Sequence, residues 1–151
     1  MEIPLAELQR NLKAIRLHGM SATLETRLVQ ASQGASFAEV FACLVQDEMD
    51  SRNSRLVETR FKASGLPERP TLTEFDWSFN PKLPRKEIYE LVSCKFVRDG
   101  ADALLIGSPG TGKSHIAKTA AHAAIQAGYK VVYREAHVFF EDLFESDQLR
   151  R

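Results

Sequence analysis

The chain has 151 residues, 44% of them hydrophobic, and its twenty lysines and arginines are balanced by twenty aspartates and glutamates. That length suits one domain or two small ones with a buried core, and the neutral balance gives no net-charge argument for a nucleic-acid or membrane partner. Cys43 and Cys94 lie outside any C-x-x-C spacing, and His18, His115, His122 and His137 form no ligand pattern, so neither a metal site nor a disulfide framework is expected.

Leu5, Leu8, Leu12 and Ile15 recur at helical spacing and predict a first helix. Its amphipathic pattern is unlike a signal peptide, and no run reaches the ~18 apolar residues of a membrane span, so the expected location is the cytoplasm. Gly19 is expected to interrupt the chain before Ser21 caps a second helix carrying Leu24, Leu28 and Val29. Gly34 closes that segment. Ser36 and Glu39 then form a capping box for a third helix with Phe37, Val40, Phe41, Leu44, Val45 and Met49 as its apolar stripe, stopped by Gly65 and Pro67. Arg10, Lys13 and Arg16 on the first helix and Arg52, Arg55, Arg60 and Lys62 on the third make two basic faces. Such faces are either solvated surface or phosphate contacts along a duplex.

Residues 67–84 carry four prolines but also Leu72, Phe75, Trp77 and Phe79, whose burial demands an ordered connector. A helix starting near Pro84 is expected to run through Ile88, Leu91, Val92 and Phe96. Ala103 to Ile106 then reads as a buried parallel strand. It leads into Gly107-Ser108-Pro109-Gly110-Thr111-Gly112-Lys113-Ser114, which satisfies G-x-x-x-x-G-K-[ST].

In that motif the glycines let successive amides point inward at a triphosphate, the lysine reaches the β- and γ-phosphates, and the serine hydroxyl ligates Mg²⁺. A ligand-free strand-to-helix turn is the plainer alternative. The helix that follows carries Ile116, Ala117, Ala120, Ala121, Ala124 and Ile125 and ends at Gly128, and Val131 to Tyr133 predict a second strand closing a βαβ unit. The expected fold is therefore α/β: a helical N-terminal domain (1–65), an aromatic connector (66–84) and the first part of a P-loop, parallel-sheet domain (85–151). Two strands fall short of the roughly five of a doubly wound sheet, so the ATPase core is expected to be incomplete, by truncation or because a partner completes it.

Acidic candidates for a metal-holding strand end are few. Glu135 follows the second apolar run, while Glu141, Asp142 and Glu145 alternate with Phe139, Leu143 and Phe144 as on a solvated helix.

Three stretches resemble the IstB family, ATP-binding helpers of insertion-sequence transposition in the AAA+ class related to DnaC helicase loaders. They are LKAIRLHGMSATLE (12–25), LTEFDWSFNPKLPR (72–85) and ALLIGSPGTGKSHIA (103–117). The resemblance implies a DNA-engaging helical domain and a module that oligomerises on Mg·ATP and directs a transposase to double-stranded DNA. It carries over Gly107, Gly110, Gly112, Lys113 and Ser114 as nucleotide ligands, a backbone N–H from Thr111, and a connector near the base. The family's Walker B acid, sensor and arginine finger have no counterpart in the sequence, which leaves hydrolysis open. A helicase loader of the same class and a non-hydrolysing DNA- or protein-binding remnant are the competing readings.

Overall fold

The computed structural model describes residues 4–148, and the chain divides into two compact units at Leu56/Val57. The first holds α1 (Leu5–Ala14), α2 (His18–Ser32) and the opening part of α3 (Phe37–Ser64). The second holds the end of α3, a 3-10 turn (Leu72–Glu74), α4 (Arg85–Val92), α5 (Lys95–Arg98), α6 (Lys113–Gln126) and α7 (Ala136–Gln148). None of the described helices is long and apolar enough to cross a membrane.

In the first unit α1 and α2 form a hairpin. Arg16 takes the left-handed conformation (φ 64°), and its amide and that of Leu17 donate to Lys13 O and Leu12 O, which is the hydrogen-bond pattern of a Schellman stop. α2 begins earlier than the sequence suggests. Gly19 lies inside its first turn, and Ser21 is buried within it, donating through Oγ to Gln9 O of α1, so Ser21 is not the cap.

The first amides of α2 instead find their acceptor on another helix: Glu48 Oε2 of α3 receives Gly19 N at 2.7 Å and Met20 N at 3.3 Å. A β-carbon on Gly19 would sit 2.6 Å from Asp47 O and 2.7 Å from Glu48 Cα, so only glycine lets α2 come this close. Beside it, Arg27 grips the Asp47 carboxylate with Nε and Nη2 at 2.8 and 2.7 Å, and Thr23 Oγ1 donates to it at 2.6 Å. The capping box opening α3 forms as expected, with Ser36 N donating to Glu39 Oε2 and Glu39 N to Ser36 Oγ. Of its apolar stripe only Val40 is buried, while Phe37, Phe41 and Met49 stay exposed.

The second unit is organised on α6. Ile116, Thr119, Ala120, Ala124 and Ile125 are buried along it, and the small alanines let α4, with buried Ile88, pack closely. His122 is buried on the same helix, with Nδ1 3.0 Å from Pro70 O and its ring edge-on to Phe61. Gly128 (φ 95°) ends α6 with its own amide and that of Tyr129 returning to Ile125 O and Ala124 O. The helix expected to run on to Phe96 breaks at Cys94, buried and left-handed (φ 58°), leaving α4 and the short α5.

The expected parallel sheet is absent: among the described residues there is no strand. Residues 103–106 and 131–133 are irregular, and Leu104, Ile106 and Val132 are 83%, 84% and 74% exposed. An apolar run becomes a strand only when a neighbour accepts its ladder of hydrogen bonds. These two runs do not pair with each other; Tyr133 N donates instead to Ser64 O at the end of α3. The fold of the described residues is thus all helical.

Two outcomes follow from the α2–α3 contact. Gly19→Ala should destabilise the chain by about 1–3 kcal/mol through overpacking against backbone, measured by urea unfolding followed by circular dichroism. The Arg27 guanidinium holds Asp47 below the usual carboxylate range, and Arg52, with the Met20 and Gly19 amides, does the same for Glu48. A carboxylate whose pKa is lowered by folding stabilises fully above its unfolded value, and that stabilisation drains as pH falls through the ordinary carboxylate range to the folded value. Thermal unfolding scans should show it, and Asp47→Asn should be less acid-sensitive than the parent.

Candidate functional site

The loop Gly107–Ser114 lies at the N-terminus of α6. Gly110 (φ 75°) and Gly112 (φ 91°) occupy the left-handed region, where a side chain is strained. Gly107 does not, and a β-carbon there would meet only ordinary contacts with Thr111 Oγ1 and Lys113 Cδ. The chain therefore spends two of its three motif glycines on backbone conformation.

Gly112 is the N-cap of α6 and supplies no side-chain acceptor, so the amides of Lys113, Ser114 and His115 stand where a helix leaves its donors unsatisfied. The positive end of the helix dipole coincides with them. Lys113 folds back over the loop: its Nζ donates to Ser108 O at 2.7 Å and lies 3.4 Å from Thr111 Oγ1, which itself donates to Ser108 O at 2.9 Å. Residues 107–110, including Ser108 and Pro109, are exposed, as is Ser114. One ammonium, a row of amides and an accessible hydroxyl thus converge on one loop, a donor set matched to a polyanion with a hard cation.

Two concavities flank it. One, of about 530 Å³, is lined by Gly107, Thr111 and Lys113 and by the apolar Leu83, Ile88 and Leu91. The other, of about 320 Å³, is lined by Gly112 and His115 and by Phe75, Asp76 and Phe79 of the connector. The Phe75 ring stands 5.3 Å from that of His115 and 4.7 Å from Trp77, so the connector is ordered beside the loop. His115 Nε2 is buried without a hydrogen-bond partner among the described residues.

Arg10, Lys13 and Arg16 are exposed on α1 and its closing turn. Arg52 and Arg55 share the buried Glu48 carboxylate at 2.8 and 3.6 Å, Lys62 faces Glu58 at 3.7 Å, and Arg60 reaches toward Gly128. The acceptance by Glu48 of the Gly19 and Met20 amides carries no local sequence signal, because those residues are remote in the chain. Glu135 is exposed and lies 3.7 Å from His137 Nδ1. The acidic group on α7 falls partly outside the described side chains, since those of Asp142 and Glu145 are not among them.

Residues 107–114 thus keep the spacing of a phosphate-binding loop and stand at the N-terminus of a helix. The chain belongs to the IstB-like ATP binding protein family, whose model matches residues 10–149. It is 32% identical over 146 residues to an ATP-binding protein of insertion sequence IS21 from Pseudomonas aeruginosa, covering 96% of this chain and 55% of that protein. It is 30% identical over 137 residues to an insertion-sequence ATP-binding protein of Mycobacterium tuberculosis, covering 90% and 55%. An IS5376 ATP-binding protein of Geobacillus stearothermophilus is 31% identical over 118 residues, 78% of this chain and 47% of that protein. The chain spans about half the length of these relatives.

Proposed function

We propose that this chain binds Mg·ATP at Gly107–Ser114 and acts as a nucleotide-binding helper of insertion-sequence transposition. The observation that carries the reading is the uncapped start of α6 behind two left-handed glycines, with the Lys113 ammonium held over the loop. The loop amides of Ser108, Gly110, Thr111 and Gly112 cradle the phosphates, Lys113 meets their outer oxygens, and the Ser114 hydroxyl ligates Mg²⁺. The bound metal supplies neutralisation of phosphate charge. Family membership and the names of the relatives support the nucleotide.

The reading extends to organisation and partners. Residues 1–65 form a helical part that engages double-stranded DNA, 66–84 a connector, and 85–151 a nucleotide-binding part, in a cytoplasmic assembly of several copies that directs a transposase. Arg10, Lys13 and Arg16 are its best phosphate contacts, because they lie exposed on one short helix and its turn. Arg52 and Arg55 are tied to Glu48 and contribute less. The site is assigned to binding, with no turnover step.

Lys113→Ala removes charge-assisted contacts worth about 2–3 kcal/mol, so titration calorimetry with Mg·ATP should show affinity falling by well over tenfold; an unchanged affinity would remove the loop from consideration. For DNA, gel shifts with duplexes of unrelated sequence should give similar affinities that weaken steeply with salt. Replacing Arg10, Lys13 and Arg16 together by Gln should reduce the log–log salt slope by about 3, and an unaltered slope would place the contacts elsewhere.

A further inference from the structure

Apart from the phosphate loop and the basic faces, the start of α4 carries a group of side chains that packing alone leaves unexplained. Trp77 of the connector lies nearly parallel to Tyr89 of α4, ring centroids 5.7 Å apart at 21°. The Arg85 guanidinium lies over Trp77, 5.0 Å from the ring centroid. Arg85 and Tyr89 are one helical turn apart, and Lys86 stands three residues before Tyr89, so all three share one arc of the helix. Arg85 and Lys86 are exposed, and Tyr89 is 55% exposed although one ring face meets Trp77.

Two neighbouring acids are engaged elsewhere: Glu90 faces Lys95 at 3.6 Å, and the Asp76 carboxylate accepts from Ser78 N and Oγ; Glu87 lines the 530 Å³ concavity. An exposed π-face bordered by two cations without carboxylate partners among the described residues suits a stacked base with flanking phosphates.

We propose that Trp77, Arg85, Lys86 and Tyr89 form a binding surface for single-stranded nucleic acid. A base stacks on the outer face of Tyr89, Trp77 backs that ring, and Arg85 and Lys86 meet the adjacent phosphates. The contact with Trp77 keeps the Arg85 guanidinium beside the Tyr89 face, and its fork of donors suits paired hydrogen bonds to phosphate oxygens. A duplex keeps its base faces covered by their neighbours, so it offers the phosphates but nothing for the Tyr89 face; the surface therefore selects unpaired strands. This assignment is independent of the nucleotide site and of the duplex contacts on α1.

Trp77 is the sole tryptophan of the chain, so its fluorescence reports directly on the surface. The full chain is titrated with an oligothymidylate of about ten nucleotides, a span within the site sizes of single-strand binders, and in parallel with a duplex of equal length. Quenching by the single strand is expected, with weaker binding of the duplex. Tyr89→Ala should weaken the single strand about tenfold while Tyr89→Phe, which keeps the ring, binds as the parent does. Arg85→Gln with Lys86→Gln should lower the salt slope by about 1.4. Lys113→Ala should leave the quenching in place, and far-UV circular dichroism checks that each variant is folded.

The proposal is overturned if the duplex competes as well as the single strand, if Lys113→Ala abolishes the quenching, or if the folded Tyr89→Ala and Lys86→Gln variants bind like the parent. Should Tyr89→Ala fail to fold, Lys86→Gln alone decides: it is exposed, and an unchanged salt slope refutes the surface.

Discussion

An α-helix leaves its first amides without acceptors, and several of the described helices start without a side-chain cap of their own, α2 and α6 among them. At α2 the deficit is met within the fold: Glu48 crosses from α3 and accepts from Gly19 and Met20. At α6 the donors follow two left-handed glycines and face an exposed loop. The same physical deficit is thus met once by a carboxylate from the chain itself and left open once, at the loop where we propose that phosphates bind. The two cases differ in what surrounds them. Glu48 is buried and ringed by donors, whereas the loop before α6 is open.

The rigid support of the loop comes from behind it. α6 is buried along much of its length by residues small enough to let α4 approach, and its far end is locked by Gly128. Salt links such as Lys118 to Glu68 and Arg69 to Glu58 hold the chain that follows α3. These are solvent-screened surface pairs; apolar burial along α6 does most of the positioning. The connector then lays Phe75 against His115, so an aromatic wall stands beside the loop without a covalent or ionic tie.

Features set by neighbours in sequence were legible. The capping box at Ser36 and Glu39, the stop at Gly128 and the glycine-rich loop all depend on residues a few positions apart, and the structure forms them. Features set by distant partners were not. Gly19 looks like a helix breaker until Asp47 and Glu48 are placed 2.6–2.7 Å from its missing β-carbon, and Ser21 looks like a cap until α1 supplies Gln9 O. The sheet failed for a related reason: apolar content at 103–106 and 131–133 signals a segment able to enter a strand, but pairing is a property of two segments. On α3 the Glu48–Arg52 and Glu58–Lys62 pairs stand at the i,i+4 spacing that a sequence shows, whereas the acceptance by Glu48 of the Gly19 and Met20 amides is set by distant residues.

Arg16 closes α1 in a conformation that glycine adopts freely and that costs a side-chain-bearing residue about 1–2 kcal/mol. Two backbone hydrogen bonds, at 2.8 and 3.0 Å, fix that turn, so the Cα–Cβ direction of Arg16 is set by the hairpin and not by a fraying helix end. A cation mounted in this way surrenders less orientational entropy when it meets an anion than one on a free terminus. The turn thereby trades folding stability for a fixed point at which this side chain leaves the backbone.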